Sequence, residues 1–137
     1  MATGAILYID RSTITSDAID EVRTKAVELV DFVESREPRL LCYGFDLDAD
    51  AGEMTVAAVH PDTESLELHL RIGGPQFAAI GHYIQLRSIE VFGEPSRAAT
   101  EAIYRKAHML GDAEVRIHRL DPGFTRALPD LDQDMTR

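Results

Sequence analysis

Residues 40–62, LLCYGFDLDADAGEMTVAAVHPD, contain two strand-forming runs separated by a turn. The first run, residues 40–47, is aromatic, too short for a typical helix, and interrupted by Gly44. The second run, residues 53–60, has the apolar composition of a returning strand. Asp, Ala and Gly at residues 48–52 favour a turn. The stretch therefore predicts a β-hairpin.

The residues before this hairpin predict one strand and one helix. Residues 5–9, AILYI, form a short apolar run that we interpret as a strand buried on both faces. Asp17, Asp20 and Glu21 would favour the positive end of a helix that Pro38 terminates. The apolar residues of this helix recur at helical spacing: Ile19, Val22, Ala26, Leu29, Val30 and Val33.

The residues after the hairpin predict a broken helix and another strand. A helix over residues 62–72 is interrupted by the Gly-Gly-Pro sequence at 73–75. A second helical piece is predicted over residues 75–86, and residues 87–93 alternate like a strand. The order strand, helix, strand, strand, helix, strand is that of the ferredoxin-like split βαβ fold.

The C-terminal part of the chain predicts one more helix and one more strand. The helix is expected over residues 97–110, ended by Gly111, and the strand over residues 113–120. Residues 129–137 are acidic and short of apolar residues, so we expect a frayed tail. The predicted class is α+β, with one ferredoxin-like domain over residues 1–128 that includes the C-terminal helix and strand.

Composition excludes several classes of function. The 137 residues have a net charge of −10, which repels nucleic acid phosphates and anionic membrane surfaces, so we expect neither as a partner. No apolar run is long enough to span a bilayer, and the N-terminus lacks the pattern of a signal peptide, so we expect a cytoplasmic protein. The single cysteine, Cys42, excludes an internal disulfide and is expected to be a buried apolar residue.

Three segments together resemble the antibiotic biosynthesis monooxygenase-like, dimeric α/β-barrel family. They are the hairpin, the broken helix SLELHLRIGGPQFAAI at residues 65–80, and IEVFGEPS at residues 89–96. The broken helix carries a Leu-x-x-His-Leu pattern around His69, a small-residue break, and then Phe77. The resemblance covers about residues 4–95.

The resemblance implies an antiparallel sheet with helices on one face and a second subunit packed on the other, which closes a barrel. The hairpin is consistent with this arrangement, because both of its faces are apolar. Leu41, Tyr43 and Phe45 point one way, while Leu40 and Cys42 point the other. We therefore expect a homodimer.

The resemblance implies one of two activities. Some relatives oxidise phenolic, quinol-type substrates without a cofactor, and others degrade haem. The haem-degrading members use an Asn and a Trp, and this sequence contains neither, which argues against haem degradation. The phenol-oxidising members also use these residue types, so their absence counts against phenol oxidation by the same residues.

Three histidines are the candidate catalytic residues: His60, His69 and His82. None of their spacings matches a metal site, so no metal and no cofactor is expected. His69 has no charge partner evident in the sequence, and burial would favour its neutral form, which can act as a base. The alternative is that His69 is a core histidine bonded to the backbone. The expected ligand pocket is lined by Tyr43, Leu66, Phe77 and Tyr83.

Two functions from different classes remain open. The protein could bind a small apolar or phenolic molecule between sheet and helix, and oxidise it without a cofactor. Alternatively, side chains fill the pocket and the protein is a non-catalytic dimeric structural or regulatory module.

Overall fold

The computed structural model describes residues 4–126, which form one five-stranded sheet and four helices. The strands are β1 (Ile6–Ile14), β2 (Cys42–Asp48), β3 (Glu53–His60), β4 (Ile84–Phe92) and β5 (Glu114–His118). The helices are α1 (Ile19–Arg36), α2 (Thr63–Ile72), α3 (Gly74–Gly81) and α4 (Arg97–Met109). The expected tail at residues 129–137 lies outside the described residues, and the single domain over residues 1–128 stays a prediction.

The sheet has the strand order β2-β3-β1-β4-β5. The first four strands pair antiparallel, and β5 adds to the outer edge of β4 in parallel. The α+β class and the ferredoxin-like order are therefore confirmed, and the C-terminal strand makes the sheet mixed.

One face of the sheet packs against the helices, and the core lies between the two layers. Along β3, Met54, Val56, Ala58 and His60 are buried, while the residues between them are more exposed. Helix α1 contributes a stripe of buried apolar residues at helical spacing: Val22, Ala26, Leu29 and Val33. This stripe is the one that the sequence predicts.

The prediction for β1 is wrong in length, and within one chain the strand is buried on only one face. The strand continues five residues past Ile9, because β3 and β4 pair with it on both sides as far as Thr13 and Ile14. Its residues alternate instead of being buried on both faces, and Leu7 is 40% exposed. The alternation turns Asp10 toward the helices, where it is buried.

The predicted second helical piece is too long. Helix α3 ends at Gly81, and residues 84–86 belong to β4, where Ile84 pairs with Ile14. An apolar residue at position 84 suits either a helix face or a buried strand face, so the spacing alone does not separate them. Pairing with β1 places Ile84 in a strand.

The sheet face away from the helices is partly apolar in the described residues. Cys42, Val59, Leu7 and Phe92 are successive register partners across four strands. We call these residues, with their neighbours Ile9 and Ala57, the open sheet face. The expectation that Cys42 is buried is wrong for this chain, because it lies on this face of the edge strand β2 and is exposed. Among the described helices, none is both long and apolar enough to cross a membrane.

Candidate functional site

Two histidines meet where β3 leads into α2. Asp62 caps α2 by accepting a hydrogen bond from the Ser65 backbone N–H at 3.0 Å. The cap directs the Ser65 hydroxyl to His60, whose Nδ1 lies 2.9 Å from Ser65 Oγ. One turn further along α2, the His69 ring lies 5.5 Å from the His60 ring, centroid to centroid.

His69 has a buried carboxylate as its partner. Its Nδ1 lies 2.9 Å and 3.1 Å from the two carboxylate oxygens of Glu37, and both side chains are almost fully buried. Glu37 is the C-cap of α1, 32 residues earlier in the chain. The sequence shows no charge partner for His69, and the structure provides one in Glu37. We call Glu37, His60, Ser65 and His69 the His69 cluster.

His60 is held in its neutral form. Burial, followed by the neighbouring His69, lowers the pKa of His60 from 6.5 to about 3. Its Nε2 is buried and has no hydrogen-bond partner among residues 4–126. The imidazole of His60 is therefore uncharged at neutral pH.

A second polar cluster lies across the core, between β1 and α4. Lys106 Nζ donates to Tyr8 Oη at 2.7 Å and to Asp10 Oδ2 at 3.2 Å, and the Tyr8 hydroxyl donates to Asp10 Oδ2 at 2.8 Å. Burial, followed by the Asp10 charge, raises the pKa of Tyr8, so Tyr8 stays a donor. Asp10 Oδ1 and Ser12 Oγ are buried without a partner among the described residues. We call Tyr8, Asp10 and Lys106 the Lys106 cluster.

A small cavity of about 20 Å³ lies between the sheet and the helices. Asp10 and Lys106 are its charged wall, and Tyr43 and Phe77 are two of its aromatic residues. The other lining residues are apolar: Leu29, Phe45, Met54, Val56, Ile80, Ile84, Leu86 and Leu110. At this volume the cavity has room for about one water molecule.

The Phe77 ring separates the two polar clusters. Its centroid lies 5.3 Å from that of His69 and 4.1 Å from Lys106 Nζ. Tyr43 packs its ring 5.1 Å from that of His69. Burial, with smaller contributions from Asp10 and Glu37, raises the pKa of Tyr43, so its hydroxyl stays protonated.

A larger groove lies on the outer surface between α2, α3 and α4. Its volume is about 470 Å³, and it shares Phe77 and Lys106 with the interior cavity. These two side chains therefore form the partition between cavity and groove.

The structure brings together only some of the predicted site residues. His60 and His69 are neighbours, and Tyr43 and Phe77 line the cavity. His82 does not join the other histidines, because it is the C-cap of α3 and is exposed.

The other two predicted pocket residues are not part of the cavity lining. Leu66 is fully buried in the main core cluster, and Tyr83 packs against a second core cluster that includes Ile80 and Ile84. Both contribute to packing.

Sequence reasoning missed Asp10, Lys106 and Glu37. Asp10 follows the end of the strand that the sequence predicts, although Ile6, Tyr8 and Asp10 at alternate positions share one face of a longer strand. Lys106 was one of only two lysines in the chain, a weak signal at most. Nothing in the sequence pairs Glu37 with His69, because the contact joins the C-cap of α1 to a residue of α2 that lies 32 positions later.

A metal site finds no support in the described residues. Within residues 4–126, no three His, Cys, Asp or Glu side chains are grouped as metal ligands are. The expectation that no metal is bound stays a prediction.

No protein-family model matches the sequence, and no curated protein matches it either. Solved structures do match. MupZ from Pseudomonas fluorescens superposes with a TM-score of 0.68 at 17% identity, over 90% of this chain and 95% of MupZ. SnoaB, a cofactor-independent oxygenase from Streptomyces nogalater, superposes with a TM-score of 0.57 at 17% identity, over 68% of this chain and 95% of SnoaB.

A further solved structure, an antibiotic biosynthesis monooxygenase, gives a TM-score of 0.53 at 22% identity, over 66% of this chain and 97% of the other. The superpositions establish the fold, and at identities this low they leave the activity open. The chain has the fold of the antibiotic biosynthesis monooxygenase-like proteins, as the sequence resemblance implied.

Proposed function

We propose that this protein binds a small phenolic molecule at the Asp10–Lys106 pair and can oxidise it with molecular oxygen and no cofactor. The observation that carries the proposal is a buried ion pair at the wall of an otherwise apolar cavity, with Asp10 Oδ1 left without a partner. Small-molecule sites are mostly apolar spaces with a few placed polar groups.

The energetics of the ion pair support a functional role. Removing an ion pair from water costs several kcal/mol per ion, and well-packed apolar residues often give an equally stable core. Asp10 and Lys106 are both less than one-tenth exposed, and their Oδ2–Nζ distance is 3.2 Å. Because stability alone does not require the Asp10–Lys106 pair, we infer that the pair serves to bind a ligand.

The pair has the chemistry to bind and ionise a phenol. A phenolic O–H can donate to Asp10 Oδ1, which is free to accept it. When the O–H bond breaks, the proton passes to the Asp10 carboxylate and the electron pair stays on the phenolic oxygen. The Lys106 ammonium then stabilises the phenolate in a cavity from which water is excluded.

An electron-rich phenolate can then be oxidised by oxygen with no other reductant. For 1-naphthol, one O₂ oxidises the ring to 1,4-naphthoquinone. One oxygen atom enters the ring, and the other leaves as water with the phenolic and ring hydrogens. SnoaB, which shares the fold, is a cofactor-independent oxygenase, and this likeness supports the proposal.

The histidines have an indirect role in this proposal. His69 contacts Tyr43 and Phe77 ring to ring, so the His69 cluster positions two residues of the cavity wall. His60 packs its ring against that of His69. His82 has no role in the proposal.

The second candidate is the non-catalytic dimeric module with a filled pocket. The small cavity favours it, because about 20 Å³ does not admit a phenol unless a wall residue moves. In the first candidate, Phe77 turns aside and joins the cavity to the outer groove. A ligand titration separates the two.

We also propose that two chains pair through the open sheet face. Leu7 and Cys42 are exposed on it, and Val59 lies between them in the same row of the sheet. Covering these side chains would remove an apolar surface from water on each chain.

Fluorescence titration with 1-naphthol tests the function, and 1-methoxynaphthalene, which cannot donate a proton, is the matched ligand control. We expect 1-naphthol to bind about tenfold more tightly or better. The double variant Asp10→Asn/Lys106→Met, which keeps the site neutral, should abolish that preference, whereas Lys25→Met on the exposed face of α1 should not.

Two outcomes would contradict the proposal in different ways. Equal binding of both ligands would show that the Asp10–Lys106 pair does not recognise the phenol, and binding of neither would favour the filled-pocket module. Binding of 1-naphthol without oxygen uptake at an oxygen electrode would leave a binding protein and remove the oxygenase step.

A further inference from the structure

We propose that the outer groove between α2, α3 and α4 binds the carboxylate of an aromatic acid, through Arg71 and Arg105. The natural ligand is then an amphipathic anion with a carboxylate at one end and an aromatic ring at the other. A neutral phenol resembles only the aromatic end. The inference deepens the proposed function and rests on it only for the aromatic end of the ligand.

The charge of the groove is opposite to that of the protein. The whole chain carries −10, yet the groove is lined by Arg71, Arg105 and Lys106 against a single carboxylate, Glu67. Because Asp10 pairs with Lys106, Arg71 and Arg105 against Glu67 leave a local charge of +1. A positive concave surface on an acidic protein attracts a small anion.

The two arginines are available for a ligand. Neither Arg71 nor Arg105 forms an ion pair or a hydrogen bond within residues 4–126, and both are exposed. The one carboxylate of the groove is already engaged, because Ser96 Oγ donates to Glu67. Other arginines of this acidic chain do have partners, such as Arg97 with Glu101. A guanidinium presents two parallel N–H groups, which match the two oxygens of a carboxylate.

The groove has the size and lining of a small-molecule site. Its volume of about 470 Å³ falls within the usual range of about 300–1,000 Å³ for ligand pockets, and the interior cavity of about 20 Å³ does not. The space exists because Ala98 and Ala102 present small side chains on α4 and Gly74 presents none on α3. Leu70 and Met109 add apolar surface.

The groove adjoins the proposed reaction site, and two shared residues separate the two spaces. Phe77 and Lys106 line both spaces, and the Lys106 ammonium lies 4.1 Å from the Phe77 ring centroid. A ligand that enters by the groove therefore meets an aromatic face and a cation before it reaches Asp10. An aromatic acid fits this order, with its carboxylate outside at the arginines and its ring against Phe77.

The test uses 2-naphthoate, which has a carboxylate and no hydroxyl, and its neutral methyl ester. Because the chain has no tryptophan, naphthyl fluorescence can be followed directly. We expect the acid to bind about tenfold more tightly than the ester, and added salt to weaken the acid alone. Arg71→Gln/Arg105→Gln should remove this preference and leave the affinity for the ester unchanged.

Arg87→Gln is the matched control. Arg87 is also exposed and has no ion pair or hydrogen bond within the described residues, but it lies on β4 outside the groove. Equal affinity for acid and ester, or an acid preference that survives the double substitution or is lost in Arg87→Gln, would overturn the inference. Failure of 1-naphthol to bind would instead contradict the proposed function and leave the arginine result standing.

Discussion

Asp10 and Glu37 are both 3% exposed, and a basic or titratable side chain lies against each of them. Lys106 contacts Asp10, and His69 contacts Glu37. Such pairs contribute little net stability when complete, but the loss of one partner leaves the other buried without compensation. Substitutions at single residues should therefore have large effects that double substitutions reverse.

His69→Ala should reduce the free energy of unfolding by about 3 kcal/mol or more, because Glu37 would stay buried without its partner. The double variant Glu37→Leu/His69→Leu should recover most of that loss, since both polar groups are removed together. Urea denaturation of wild type, single and double variants measures this. A loss below about 1 kcal/mol in His69→Ala would show that the pair does not hold the core together.

His60 should make the protein less stable in mild acid. Its pKa is about 3 in the folded chain and about 6.5 when unfolded, so between these values only the unfolded chain binds the proton. The free energy of unfolding should therefore fall as the pH falls, by about 2 kcal/mol from about pH 7.5 to about pH 5. His60→Gln should lack this part of the pH dependence. Parallel stability curves of wild type and His60→Gln would contradict the assignment.

At the scale of secondary-structure elements, most of the fold was predictable because each element carries its own local pattern. The apolar stripe of α1 and the hairpin of β2 and β3 are read correctly from spacing and turn residues. The ends of β1 and α3 are not, because pairing between distant strands sets them. The error at β1 also hid Asp10, so the candidate site was missed for the same reason.

Gly73 sets the junction between α2 and α3. A Cβ at this position would lie 2.5 Å from Phe77 Cζ and 2.8 Å from the His69 carbonyl oxygen, so backbone and ring would both have to move. We expect Gly73→Ala to cost about 1–3 kcal/mol of stability. Gly74→Ala is the matched control, since its Cβ would meet nothing within 4 Å. Equal thermal stability of the two variants would contradict this account of the junction.

At the scale of the whole molecule, the helices cover one face of the sheet and leave the other apolar in part. Leu7 is 40% exposed on that face, and Cys42 is exposed at its edge. The sequence predicted this two-sided character from the hairpin alone. We propose that a second copy of the chain covers this face.

We expect the chain to sediment as a homodimer at micromolar concentration, with twice the mass of one chain. Ala57→Glu places a carboxylate at an exposed position of the open sheet face and should shift the mass to that of one chain. Ala51→Glu, in the exposed turn between β2 and β3, should leave the dimer intact. A wild-type chain that sediments as a monomer would contradict the pairing.

The phenol site at Asp10 and Lys106 can be observed directly through the lysine amines. The chain contains only two lysines, Lys106 in the core and Lys25 on the surface of α1, so ¹⁵N-lysine labelling gives two side-chain signals. Titration with 1-naphthol should shift the Lys106 Nζ signal in a saturable manner and leave Lys25 unchanged, and 1-methoxynaphthalene should produce a smaller shift. If the Lys106 signal stays in place while 1-naphthol is bound, or if both lysines shift together, the proposed site is wrong.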